Sequence, residues 1–177
     1  MNGDALRTNE AIYNTIENIS RNKIDIACIQ ETHNDRTDSI KINDYDIFFC
    51  GPDTMINPNN AISHPGGTAI IIHHTLTQHI QKIIRVSGRI MEIRLKTGLG
   101  NKILSILNTY APHMGYQTEQ INTYWTTLNQ YIDSIPNTHI RMWCTDNNGQ
   151  ITKPTNTNTN NIGPWTLTNK TDKGNGE

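Results

Sequence analysis

Between residues 45 and 110 the chain offers one strand-like apolar run after another, with no helical period among them. The runs are 45–50, TAIIIHH (68–74), 78–86, 89–95 and 102–110. Strands that follow one another without a crossover helix pair most simply as antiparallel neighbours, because a parallel partner needs a long connection. This order favours a mixed α/β sandwich of mainly antiparallel sheets over a doubly wound parallel sheet. TAIIIHH is apolar without alternation, as in a strand covered on both faces.

Helices are expected on either side of this block. Thr8 or Asn9 can cap a first helix, with Glu10 in its first turn and Ile12, Ile16 and Ile19 on one stripe. A strand follows at 24–30. A second helix is expected over 118–133, burying Ile121, Tyr124, Trp125, Leu128 and Ile132. THIRMWC then reads as a last strand ending at TDNNG. The segment 51–67 reads as a loop from its Gly, Pro and Asn content. PGG within it precedes a strand instead of a helix, which argues for a tight lead-in to the strand and against a phosphate-binding P-loop. Residues 1–150 thus form one domain, and 151–177 is a low-complexity segment with no apolar period.

Composition narrows the function classes. The 177 residues suit one domain, and a net charge of −1 leaves no global basic field, so nucleic-acid binding would rest on a local patch. The 3 cysteines have no zinc-ligand spacing, which fits a reduced intracellular chain better than a disulfide scaffold. No apolar run is long enough for a bilayer, and the first residues lack a signal-peptide core.

Chemistry gathers where apolar runs end. The first strand releases into Gln30, Glu31, Thr32 and His33; another into Asn108, Tyr110 and His113; the last into Thr145, Asp146, Asn147 and Asn148. If these strands share a sheet and run the same way, their ends meet at one rim. Glu31 and Asp146 could then hold a hard divalent cation, which prefers carboxylate and water oxygens. Asp146 could instead act as a base towards water, with Asn148 and Tyr110 offering an amide and a hydroxyl to a phosphate. Taken singly, each residue has an ordinary reading. Glu31 alone is a solvated loop residue, TDNNG a turn, and Tyr110 a packing residue with its hydroxyl at the surface.

The motifs DIACIQETH, GGTAIIIHH, GRIMEIRLK, ILSILNTYAPH, MWCTDNNGQI and NIGPWTLTNKTDKGNGE, in this order, resemble the endonuclease domains of LINE-type retrotransposons. These belong to the exonuclease–endonuclease–phosphatase superfamily. The resemblance implies a DNase I-like four-layer α/β sandwich, incomplete in this chain, and magnesium-dependent cleavage of phosphodiesters, with manganese an alternative metal. It implies Glu31 as the metal-binding glutamate and Tyr110 as the tyrosine at the scissile phosphate. It implies Asp146 as the aspartate that orients or deprotonates the attacking water, with Asn148 as the asparagine beside it. DNA is the implied partner, with a reverse transcriptase domain in a longer parent protein and the nucleus as the place of action.

The departures are specific. The family pattern Gly-Gly-Asp-Phe-Asn is here Cys144-Thr145-Asp146-Asn147-Asn148, so two glycines and an apolar anchor are replaced. The family's first-strand asparagine, its late aspartate and its terminal Asp-His pair have no counterpart in this sequence. The reading is thus a truncated retroelement copy of a DNA-nicking endonuclease with weak or no nicking of its own. The alternatives are a non-catalytic remnant serving as a binding module and a phosphatase of the same fold.

Overall fold

The computed structural model describes residues 6–52, 55–56, 62–63 and 66–148. The segment 151–177, read above as low-complexity, lies outside them. The first helix, α1 (Asn9–Arg21), begins where expected. The Thr8 hydroxyl accepts from the Ala11 N–H at 3.1 Å, satisfying one of the amides left over at a helix start. Its stripe Ile12, Ile16 and Ile19 is fully buried.

The strands are β1 (Ile26–Gln30), β2 (Ser39–Ile42), β3 (Tyr45–Cys50), β4 (Met55–Ile56), β5 (Ile62–Ser63), β6 (Thr68–His73), β7 (Ile80–Ser87), β8 (Ile90–Lys96), β9 (Ile103–Tyr110) and β10 (Ile140–Asp146). A short α2 (His74–Thr77) follows β6, and α3 (Thr118–Ser134) joins β9 to β10. One sheet has the order β1-β6-β3-β2 and is wholly antiparallel. The other has the order β10-β9-β8-β7 and is antiparallel except for the parallel pair β9–β10, whose crossover is α3. Strands β4 and β5 form a small antiparallel ladder inside the segment read as a loop.

Strand periodicity divides the apolar side chains into layers. Ile47, Phe49, Ala69 and Ile71 pack under α1 with Ile12, Ile16 and Ile19. Their neighbours Phe48, Ile70 and Ile72 face the other way and meet Met91, Ile93, Leu95 and Ile106 of the second sheet. Ile90 and Leu107 point outward to Tyr124 and Leu128 of α3. The result is helix, sheet, sheet, helix. The continuous apolar run of β6 is explained by its position, covered by α1 on one face and by the second sheet on the other.

One polar cluster lies inside the outermost interface. Glu92 on β8 is fully buried on the face that meets α3. Arg94 donates Nε and Nη2 to its two oxygens at 2.9 and 3.1 Å, and Tyr131 of α3 donates its hydroxyl to Oε2. The clamp ties α3 to the sheet. Its hydrogen bonds hold the Glu92 carboxyl below the usual carboxylate range against the opposing effect of burial, the largest single influence on it.

Among the described residues, β1 ends one sheet and β10 the other, and the two strands touch across the gap. Trp143 on β10 is 48% exposed although its Nε1–H is satisfied by the Thr109 hydroxyl at 2.8 Å.

Candidate active site at the rim between the sheets

The strand ends rich in polar groups do meet, but not within one sheet. β1 belongs to the first sheet, and β9 and β10 to the second. The expectation of a single shared sheet is corrected: the rim is the mouth of the gap between two sheets. Asn108 fixes this juxtaposition. It is fully buried and faces the gap from β9. Its Nδ2 donates to the Ile29 and Ala69 carbonyls, each at 2.9 Å, and its Oδ1 accepts from Gln30 Nε2 at 2.7 Å. A buried amide with every partner in place staples β1 and β6 to β9, since a shift of either sheet would orphan several groups at once.

Above that staple, the Tyr110 hydroxyl donates to Glu31 Oε1 at 3.0 Å, across the gap. His33 Nε2 lies 3.7 Å from the same oxygen. Asp146 stands in register with Tyr110 on the neighbouring strand, so the two side chains leave the sheet on the same face. The Ala111 N–H donates to the Asp146 carbonyl at 2.8 Å. Asn148 closes the turn: its N–H donates to Asp146 Oδ1 at 3.0 Å and its Nδ2 to the Ala111 carbonyl at 2.7 Å. The substituted asparagine at 147 is used locally, its Oδ1 accepting from the Thr145 hydroxyl at 2.6 Å. Glu31 is thus joined to Tyr110, and Asp146 to Asn148, by hydrogen bonds, and the strand register sets Asp146 beside Tyr110. His113 does not join them; it accepts from the Gly115 N–H and stacks edge-on with Tyr116.

The backbone is strained at the same place. Of the 5 non-glycine residues with positive φ among the described residues, Glu31 (57°), His33 (47°) and Asn148 (45°) are at this rim. Left-handed conformations of this kind cost about 1–3 kcal/mol each and persist where surrounding contacts over-determine them. For Glu31 and His33 the contacts come from Gly66 and Gly67. The Thr32 N–H donates to the Gly67 carbonyl and the His33 N–H to the Gly66 carbonyl, at 3.0 and 3.2 Å. Gly66 and Gly67 have φ of 106° and 90°. A Cβ on Gly67 would lie 2.4 Å from Thr32 Oγ1. Gly66 and Gly67 thus make a tight lead-in to β6, as expected, and also support the backbone on which Glu31 is posed; Pro65 lies outside the described residues. Gly67→Ala is expected to destabilise the fold by more than about 1 kcal/mol, read as a lowered denaturation midpoint, because it adds both strain and a clash.

Sequence reasoning missed Arg89. Its guanidinium lies over the Tyr110 and Tyr116 rings, 4.8 and 4.9 Å from their centroids, and Nη1 donates to the Tyr110 carbonyl at 3.3 Å. A single charged residue after the Ser87-Gly88 turn carried no signal of this. Burial, followed by the bond to Glu31, pushes the Tyr110 hydroxyl pKa up, so it stays protonated and a donor.

Behind the rim, Cys28 of β1 and Cys144 of β10 are hydrogen-bonded partners across the gap. The bond to Cys144, then burial, pushes the Cys28 thiol up, and the bond from Cys28 lowers Cys144 to about 7. Alkylation by iodoacetamide is expected to mark Cys144 before Cys28, with a rate that rises as pH climbs through about 7. Cys28→Ala should move that rise towards the ordinary thiol range near ~8.5. Peptide mapping by mass spectrometry reads both.

Among the described residues, no group of three or more His, Cys, Asp or Glu side chains could enclose a metal ion. Glu31, 32% exposed at the rim, and Asp146 offer instead a sparse set of carboxylate oxygens. That set suits a hard cation that keeps most of its waters and takes one or two carboxylates.

No protein-family model matches the chain, and no curated protein matches it. Solved structures do. The endonuclease domain of TRAS1, a telomere-specific non-LTR retrotransposon, superposes with a TM-score of 0.51 at 14% identity, over 85% of this chain and 58% of that one. Humanized D. rerio TDP2 gives 0.52 at 13% identity, over 85% and 61%. The AP endonuclease LMAP from Leishmania major gives 0.50 at 14%, over 81% and 49%. The chain has the fold of these proteins, the DNase I-like α/β sandwich. It spans between 49% and 61% of the length of these solved structures. No helix among the described residues is long and apolar enough to cross a membrane.

Proposed function

We propose that the chain carries the phosphate-facing half of a magnesium-dependent phosphodiesterase that nicks DNA. The observation that supports this best is the gathering of two hydrogen-bonded pairs, Glu31–Tyr110 and Asp146–Asn148, set side by side by strand register at one strained rim between the two sheets. Strain gathered at a polar cleft is typical of active sites. Fold neighbours that are named as endonucleases support the same reading.

In this reading water attacks the phosphorus in line while the opposite P–O bond breaks. Asp146, held by the Asn148 N–H, orients that water and takes its proton; the departing oxygen is protonated from solvent. The Tyr110 hydroxyl, kept protonated by burial and by Glu31, would turn its one proton from Glu31 to a phosphate oxygen once a cation engages the Glu31 carboxylate. The second N–H of the Asn148 amide would do the same on leaving the Tyr110 hydroxyl. Magnesium, held by Glu31, would supply charge neutralisation on the phosphate when bound.

The test is supercoiled plasmid with magnesium or EDTA, comparing the chain with its Asp146→Ala and Glu31→Gln variants. Weak magnesium-dependent nicking that both substitutions remove supports the reading. Nicking that survives EDTA or either substitution overturns it. DNA binding without any nicking would favour the binding-module alternative.

A further inference from the structure

Two thiols face each other behind the rim, on strands of different sheets. Cys28 of β1 packs against the gap-facing cluster of Ile70, Ile72, Met91 and Ile106. Cys144 lies on β10 two residues before Asp146, so the two share a face of the strand. Asn108 brings the thiols together. It is the register partner of Cys144, and its amide donates to the carbonyl of Ile29, the neighbour of Cys28. Cα atoms of β1 and β10 come within 8 Å of one another. The two sulfurs share a hydrogen bond, and each residue keeps partial exposure. The third cysteine, Cys50, lies on β3, separated from β1 by β6, and its Sγ donates to the Ser87 carbonyl at 3.1 Å.

A buried cysteine by itself packs as a small apolar side chain. A facing pair has a further option. Disulfide formation needs two cysteines whose backbones are already close and whose side chains point at each other, and most pairs of strands do not offer this. Here the Asn108 amide and the packing of the two sheets hold β1 and β10 at that approach whether or not the sulfurs are joined. The position gives the link a consequence. Glu31 follows Cys28 by three residues, and Asp146 follows Cys144 by two. A bond between the sulfurs would tie the strand that carries Glu31 to the strand that carries Asp146.

We propose that a hydroperoxide converts Cys28 and Cys144 into a reversible disulfide that locks β1 to β10 behind the rim. One thiol, as its thiolate, attacks a peroxide oxygen; the O–O bond breaks, and the departing oxygen takes a proton. The facing thiol then attacks the resulting sulfenic sulfur. An S–S bond forms, the S–O bond breaks, and the hydroxide leaves with the second thiol's proton as water. Two thiols together lose two electrons and two protons, and one hydrogen peroxide is reduced to two waters. A dithiol reductant reverses the link by thiol–disulfide exchange. The proposal stands apart from the reaction assigned to the rim, and nicking plays no part in its test.

The test treats the reduced full chain with equimolar hydrogen peroxide, blocks the remaining thiols with iodoacetamide and maps the peptides by mass spectrometry without reductant. The peptides bearing Cys28 and Cys144 should appear joined within one chain, lighter by two hydrogens than the two thiol peptides, with Cys50 alkylated. Dithiothreitol should restore both thiols. The oxidised chain should unfold in urea at a midpoint higher by about 1 M or more than the reduced chain, because the link closes a long loop of the unfolded chain. Cys28→Ser and Cys144→Ser should each abolish the link and this shift. The mapping of the unsubstituted chain decides even where a serine variant does not fold. Both thiols left open to alkylation, or carried to sulfinic and sulfonic acids without a link, overturns the proposal. So does a link through Cys50, a link between two chains, or a Cys28–Cys144 link that leaves the midpoint where it was.

Discussion

Asp146→Ala is expected to lower magnesium-dependent nicking of supercoiled plasmid by about 10²–10⁴-fold, the usual contribution of a positioned general base. The geometry makes Asp146 the residue to substitute. It ends an edge strand with its side chain on the face of Tyr110, and its Oδ1 is fixed by the Asn148 N–H. Removing the carboxylate deletes the proton acceptor and also frees the turn that carries Asn148, so the two losses act as a unit and do not add. The unsubstituted chain is expected to nick slowly, so the comparison uses protein in excess over plasmid and long time courses. A second readout does not depend on turnover. Glu31→Gln should weaken binding of manganese, a paramagnetic stand-in for magnesium, with the fold unchanged by circular dichroism. Manganese binding that is indifferent to Glu31 would remove the metal assignment while leaving Asp146 to be judged by nicking.

Arg94→Ala is expected to destabilise the fold by about 3–5 kcal/mol, because it strands the fully buried Glu92 carboxylate without its charged partner. Ser105 and Tyr131 would remain as neutral donors, without a charge to balance the ionised carboxylate in an apolar layer. Urea unfolding at neutral pH should show the loss as a lowered midpoint with an unchanged slope. The pH dependence has a definite sign. The folded chain holds Glu92 below its ordinary pKa, so the folded state binds fewer protons there than the unfolded chain. The stabilisation from this group is therefore complete above the ordinary glutamate pKa of about 4.3 and drains away as pH falls below it. Arg94→Ala should make that acid-side decline shallower, because the strongest of the hydrogen bonds that lower the Glu92 pKa has gone while those of Ser105 and Tyr131 remain. A variant as stable as the parent, or one with the same acid profile, would show that the clamp holds nothing.

The elements that sequence made legible are those whose burial leaves a period. The Ile12, Ile16 and Ile19 stripe marked α1, the unbroken run at β6 marked a doubly covered strand, and Tyr45–Cys50 marked β3 to the residue. β2 leaves no such period, since its four residues SIKI are half exposed at the end of the sheet and flanked by Asp and Asn. α2 was missed because it is a single turn with no buried residue. The β4–β5 ladder was missed because two-residue strands are too short to show a period.

The same distinction applies to the rim. The local sequence determined that Glu31, Tyr110, Asp146 and Asn148 each follow an apolar strand, which is why they could be named in advance. It also marked PGG as a tight approach to β6. Only the tertiary structure decided which strand ends meet, because β1 and β9 lie in different sheets and come together through packing of Ile70, Ile72, Met91 and Ile106 and through the Asn108 amide. It alone decided that Gly66 and Gly67 support the backbone at Thr32 and His33, and that Arg89 lies over Tyr110. A strand's period is written within a few neighbouring residues, whereas a contact across the sandwich depends on the relative placement of two sheets, to which no single stretch of chain corresponds.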